Sequence, residues 1–200
     1  MSDNTRLIVG ISGASGAVYG VRLLEALRPL PVESHLIMTK AAELALAYET
    51  DLNPAQVHAL ADVNHPNADV GGATSSGSFR TLGMIIVPCS IRSMSEISTG
   101  VTSSLLTRSA DVVLKERRRL VLTVRETPLH LGHLRSLTQL AELGAIIAPP
   151  VPAMYARPAS IDAMVDHTVG RLLDLFDLES GLVARWRDPA AARRSGRDSG

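Results

Sequence analysis

The sequence predicts an α/β fold: a single doubly wound, mainly parallel sheet with helices on both faces, in the manner of a Rossmann-like or flavodoxin-like three-layer sandwich. Three observations predict it. Short β-branched runs alternate with helical patterns along the chain. The runs are largely apolar instead of alternating, as strands covered on both faces are. A glycine- and serine-rich turn, VGISGASGAVYG over residues 9–20, joins the first run to the first helical pattern, where such folds hold anions.

The first strand, residues 6–11, runs into that turn. Glycine there permits positive φ and close backbone approach, small hydroxyls supply donors, and the helix at 17–28 points its free N–H groups at an anion. The spacing of Gly10, Gly13 and Gly16 is G-x-x-G-x-x-G. It matches neither the dinucleotide fingerprint nor a Walker loop, which needs Lys and then Ser or Thr after its last glycine. Further strands are expected at 32–38, 84–88, 119–125 and 145–149, and further helices at 40–48, 54–61, 105–116 and 131–143. In a last helix, 160–176, Ile161, Val165, Val169, Leu172 and Phe176 recur at helical spacing and leave Asp162, Asp166 and Asp174 outward. Residues 64–83 read as a long Gly, Ser and Asn loop of functional character, and 188–200 as a polar, disordered tail after one domain spanning 1–187.

Bulk composition bounds the function. Lys plus Arg balances Asp plus Glu at 20 each, so no net field favours nucleic acid or an anionic membrane. No apolar run approaches the roughly 18 residues of a span, and the amino terminus carries no signal pattern, so a cytoplasmic protein is expected. The single cysteine, Cys89, excludes an internal disulfide and lies in an apolar run, where it reads as a small buried side chain. Among six histidines only His130 and His133 are spaced i, i+3, without an acidic third ligand, and no metal is expected.

A polar cluster follows each expected strand: Gly13-Ala14-Ser15, Thr39-Lys40, Ser90-Ile91-Arg92-Ser93, Arg125-Glu126-Thr127, and residues 149–157. Each alone reads as helix capping; together they form an anion-binding cleft at the carboxyl edge of the sheet. Arg108 and Lys115 lie two turns apart on one helix face, and Arg117 and Arg118 complement that helix's dipole. Glu49 and Glu126 are isolated carboxylates suited to proton transfer. Aromatic residues make up only 3% of the chain, which singles out Tyr155 and Trp186.

The segments GISGASGAVYGVRLLE, MTKAAELALAYETD, LLTRSADVVLKERRRLVLTVRETPLHLGHL and GAIIAPPVPAMYARP resemble the UbiX-type flavin prenyltransferases, in order and spacing, from about Arg6 to Trp186. The resemblance implies a homododecamer with sites between subunits that binds reduced FMN without a metal. It implies transfer of a dimethylallyl group from dimethylallyl monophosphate to N5 and C6 of the flavin, and delivery of prenylated FMN to a UbiD-type decarboxylase. Matched motif by motif, Gly13, Ala14, Ser15, Thr39, Ser90, Ile91, Arg92, Ser93 and Arg125 hold flavin. Tyr155 and Arg171 bind the prenyl phosphate with Arg108, Lys115 and Glu49; Glu126 assists proton transfer at the leaving phosphate, and Trp186 closes over the prenyl group. Two other readings stand beside it. A flavin-dependent cysteine decarboxylase would carry an early His base and a Pro-x-Met-Asn motif, which this chain lacks; a non-catalytic FMN-binding subunit of an aromatic-acid decarboxylase is the alternative.

Overall fold

A computed structural model describes residues 5–183; Trp186 and the expected tail at 188–200 lie outside the described residues. The chain divides into two compact units, Met1–Pro150 and Val151–Gly200.

The first unit carries a six-stranded, all-parallel sheet of β1 (Arg6–Ile11), β2 (Glu33–Met38), β3 (Val63–Pro66), β4 (Gly83–Cys89), β5 (Arg119–Val124) and β6 (Ile146–Ile147). Their order across the sheet is β3-β2-β1-β4-β5-β6. Chain order runs outward in both directions from the β1/β4 pair, so the crevice beyond the carboxyl ends of these two strands is the switch point where such sheets place ligands. Its helices are α1 (Ala17–Leu27), α2 (Lys40–Glu49), α3 (Pro54–His58), α4 (Ile91–Thr99), α5 (Leu105–Lys115) and α6 (Leu131–Glu142).

The apolar runs are buried as parallel strands require. Ile8, Ile37, Met84, Ile86, Leu120 and Leu122 form one core with Met94 and Ile97 of α4, Leu105, Leu106, Ala110 and Val113 of α5, and Leu140 of α6. Against β1 and β4, α1 approaches so closely that a Cβ on Gly20 would stand 2.6 Å from the Val87 carbonyl oxygen and 2.7 Å from Ile11 Cδ1.

Two elements depart from the sequence expectation. β3 lies at the start of the segment expected to be a loop: its residues alternate between half-buried and exposed, and at the sheet edge it needs no apolar run. α4 was not expected, because Ile91, Met94 and Ile97 keep helical spacing among three serines and a threonine that read as a capping cluster. The rest of the expected loop is fastened along α5. Asn67 accepts from Leu105 N (2.9 Å) and Leu106 N (3.0 Å), Thr74 accepts from Ser109 Oγ (2.7 Å), and Gly77 O accepts from Arg118 Nη2 (2.7 Å). Arg118 therefore anchors this loop from just beyond the carboxyl end of α5. The last expected strand contracts to two residues.

In the second unit a single 3-10 turn, Met154–Ala156, precedes α7 (Ile161–Asp174). Val165, Val169 and Leu172 are buried as the periodicity predicts, but Ile161 is 75% exposed at the first helical position. His167 takes a place in the buried stripe.

Candidate active site

The turn after β1 is built by close approach. Gly16 adopts φ 101°, and a Cβ on Gly13 would stand 2.3 Å from Ala41 Cβ at the start of α2. Its anion position is already filled from within the chain: Glu49 Oε2, at the end of α2, accepts from Gly16 N (2.8 Å) and Ala17 N (2.9 Å), the free amides at the start of α1. Burial pushes the Glu49 carboxyl up, but the Ser15 hydroxyl, these two amides and the nearby Arg125 charge outweigh it and hold it below its usual value. From the turn after β5, Arg125 donates through Nη1 to the Ser15 carbonyl, and its guanidinium lies 5.9 Å from the centre of the Tyr19 ring. Ser15, Gly16, Glu49 and Arg125 are thus one cluster. Glu126 is exposed beside it and accepts from Thr127 N (2.9 Å).

At the switch point β1 and β4 are tied by Ser12, whose Oγ donates to Pro88 O (3.0 Å) and accepts from Ser90 N (2.7 Å). A cleft of about 730 Å³ opens beyond the strand ends and is lined by Gly13, Thr39, Ser90, Arg92 and Ser93, with His65 and Asn67 from the β3 side. Three helix starts face it, each capped by its own hydroxyl: Thr39 accepts from Ala42 N on α2, Ser90 from Ser93 N on α4, and Ser104 from Thr107 N on α5. This set of amides and hydroxyls at three positive dipole ends suits a phosphate-bearing ligand. Ala14 belongs to the turn, its N–H bonded to Ser12 O (2.8 Å). Ile91 opens α4 and packs against the core. Arg92 is mostly exposed and pairs with Glu96 (2.9 Å).

The remaining expected residues lie elsewhere. Arg108 pairs with Asp111 (2.7 Å) on α5. Lys115 pairs with Glu116 (2.5 Å) at the far end of α5, about 10 Å along the axis from Arg108. That end precedes β5, at the amino edge of the sheet, opposite the cleft. In the second unit the Tyr155 hydroxyl lies 3.2 Å from His167 Nε2, and Arg171, one turn further along α7, pairs with Asp174 (2.7 Å). His167 therefore relates Tyr155 to the Arg171 side of α7.

Sequence reasoning missed Ser12, Asn67, His65 and His167 as site-building residues. The first two act through partners remote in sequence, so only the assembled sheet exposes them. His167 carried a signal in its i, i+4 spacing to Arg171. The His130 and His133 rings stack at 3.5 Å, and His130 Nδ1 caps α6 by accepting from Gly132 N (3.0 Å). Cys89 is fully buried, and burial pushes its thiol up to about 12, which makes it a packing residue. No described helix is long and apolar enough to cross a membrane.

Comparison with known proteins gives consistent matches. The Flavoprotein family model matches residues 1–184. The flavin prenyltransferase UbiX of Escherichia coli (strain K12) is 60% identical over 185 residues, which cover 91% of this chain and 98% of that protein. The crystal structure of AnUbiX in complex with FMN and dimethylallyl pyrophosphate superposes with a TM-score of 0.91 at 50% identity, covering 92% of this chain and 98% of that one. A dodecameric FMN-dependent UbiX-like decarboxylase from Escherichia coli O157:H7 superposes with a TM-score of 0.90 at 47% identity, covering 92% of this chain and all of that one.

Proposed function

Since the chain belongs to the UbiX-type flavin prenyltransferases, we propose that its switch-point cleft holds reduced FMN while the chain catalyses transfer of a dimethylallyl group from dimethylallyl monophosphate to flavin N5 and C6. The observation that carries this reading is the convergence of three capped helix starts on one cleft of about 730 Å³. That volume is of the size class of cofactor sites. Reduced FMN supplies the nucleophilic ring positions.

The chain's own groups supply the rest. Thr39, Ser90 and Ser93, with Arg92, bind the flavin in the cleft, while Gly13, Ala14 and Ser15 with the backbone at Ile91 shape its approach. Arg125, fixed on the Ser15 carbonyl, orients its ring. The bond from the dimethylallyl carbon to the phosphate oxygen breaks as negative charge gathers on the departing phosphate. Fixed cations and a phenol in a water-poor site stabilise that charge without a metal. Tyr155 and Arg171 serve this role with Arg108 and Lys115, Glu49 assists them at the prenyl phosphate, and Glu126 moves the proton at the leaving phosphate. Glu49 keeps the turn in register through two amide bonds.

Within one chain Lys115 stands at the sheet edge opposite the cleft, so it serves the site of a neighbouring copy in a homo-oligomer, a dodecamer on this reading. The recipient of prenylated FMN is a UbiD-type decarboxylase, the compartment is the cytoplasm, and one flavoprotein domain spans both compact units.

Anaerobic incubation of the protein with reduced FMN and dimethylallyl monophosphate, followed by mass spectrometry of the released flavin, tests the reading. The expected product is heavier than FMN by one five-carbon unit and activates an apo UbiD-type decarboxylase. A flavin of unchanged mass, with both substrates shown to bind, would leave only a flavin-binding accessory role.

A further inference from the structure

One cluster beside the cleft is not used by the chemistry above. On β2, His35 is 4% exposed. Its Nε2 lies 2.7 Å from Glu33 Oε1, and its Nδ1 lies 2.9 Å from Nε2 of His65 on β3. The two imidazoles stack at 5.2 Å, Phe79 meets His35 edge-on at 4.9 Å, and Arg6 Nε donates to the same Glu33 oxygen at 3.1 Å. His65 lines the cleft, so a row of groups leads from a half-buried ion pair through the buried His35 to the cleft wall.

The row fixes where the protons sit. A carboxylate accepts only, so His35 carries its proton on Nε2. A neutral His35 then offers a lone pair at Nδ1, and His65 must donate from Nε2. That leaves His65 Nδ1 as an acceptor, and among the described residues it has no hydrogen-bond partner. Burial is the largest influence on both rings and holds both below the usual histidine value, so the neutral arrangement prevails at neutral pH. One added proton reverses it. His35, charged, donates from Nδ1; His65 then accepts at Nε2 and carries its own proton on Nδ1. A proton taken up in the buried layer thereby converts the free His65 nitrogen from acceptor to donor.

We infer that His65 is a further flavin-contacting residue of the cleft, whose Nδ1 accepts a hydrogen bond from an N–H or O–H of the bound flavin, and that His35 and Glu33 are positioning residues that hold it in the accepting tautomer. This rests on the reading that the cleft holds the flavin. The charged groups facing the pair are Glu33 and Arg6 at its His35 end and Asp62 and Asp69 beside it. Elsewhere on the cleft wall stand Lys40, Glu43 and His58, and Arg92 paired with Glu96.

The test is FMN affinity, read by quenching of flavin fluorescence on the full chain between pH 5 and 8, for wild type, His65→Gln, His65→Leu and Ala68→Trp. Ala68 is exposed on the cleft lining, and a Trp there fills the cleft with little demand on the core. Loss of FMN by Ala68→Trp is expected; unchanged binding would overturn the reading that the flavin lies here. His65→Leu is expected to bind FMN about five- to tenfold more weakly at pH 7.5, the effect of one lost hydrogen bond. His65→Gln keeps an acceptor that does not titrate, so it retains affinity at pH 7.5. Because the FMN phosphate titrates in the same range, the reading is the difference between proteins: wild type loses more affinity than His65→Gln on acidification. Equal affinity of His65→Leu and wild type, or parallel pH profiles of His65→Gln and wild type, with Ala68→Trp blocking as expected, would overturn the role of His65 alone.

Discussion

At the scale of the residue, Glu49 shows how one side chain can decide what a glycine turn is for. The three glycines and the helix start at residue 17 were legible as an anion cradle, but a carboxylate thirty-odd residues later fills it. No spacing rule links Glu49 to Gly16; only the packing of α2 beside α1 does. The turn thus holds its shape through an internal charge. Replacing Glu49 with Ala leaves two amides at the start of α1 without this partner, and at pH 7 should lower the melting temperature by about 2–4 °C, the effect of losing a helix cap. The sign with pH follows from the depressed carboxyl. Its contribution is present above the ordinary value of 4.5 and disappears as pH falls through the lower folded value. Thermal melts of wild type and Glu49→Ala should therefore differ at pH 7 and converge as the pH falls below the depressed folded value; identical melts at pH 7 would show that the carboxylate holds nothing.

At the scale of the element, the closeness of α1 to the sheet is what places the turn and the cleft beside each other. β1, β2, β4 and β5 were legible because a strand buried on both faces must be apolar throughout. β3 and α4 were not, because an edge strand and a helix lined with serines carry too few apolar residues to announce their period. Glycine roles were partly legible: the sequence marked Gly13 and Gly16 as turn residues, whereas Gly20 looked like any helical glycine. Yet Gly20 faces a backbone carbonyl, which cannot rotate aside. Gly20→Val should push α1 off β1 and β4 and cost about 3 kcal/mol or more, beyond ordinary overpacking. Gly100, with φ 72° and nothing within 4 Å of a Cβ, should accept Asn at little cost. Urea unfolding midpoints check both, and equal loss in the two variants would contradict the packing argument.

At the scale of the whole molecule, the two groups of residues proposed for the reaction stand at different edges of one sheet. Thr39, Ser90 and Ser93 line the cleft at the carboxyl edge, whereas Lys115 ends α5 at the amino edge, where that helix turns back toward β5. The sequence could supply both sets as motifs, because each is local. It could not tell that they face apart, since that depends on the direction in which α5 crosses the sheet. If both serve one reaction, the cleft holding the flavin and Lys115 the prenyl phosphate, a closed oligomer must bring Lys115 of one copy to the cleft of another. Two inactive variants should then rescue each other. Lys115→Ala and Glu49→Gln, each prepared alone, are expected to be nearly inactive in the flavin mass assay. Co-expressed at equal amounts, they should assemble randomly and leave roughly one site in four with both wild-type groups, hence about a quarter of wild-type activity per site. Mixing the two after separate assembly provides the control, because intact oligomers exchange subunits slowly and remain inactive. Activity that stays at the level of the single variants after co-expression would place Lys115 and Glu49 in the service of the same chain, and the separation along α5 would then have to close by movement within one copy.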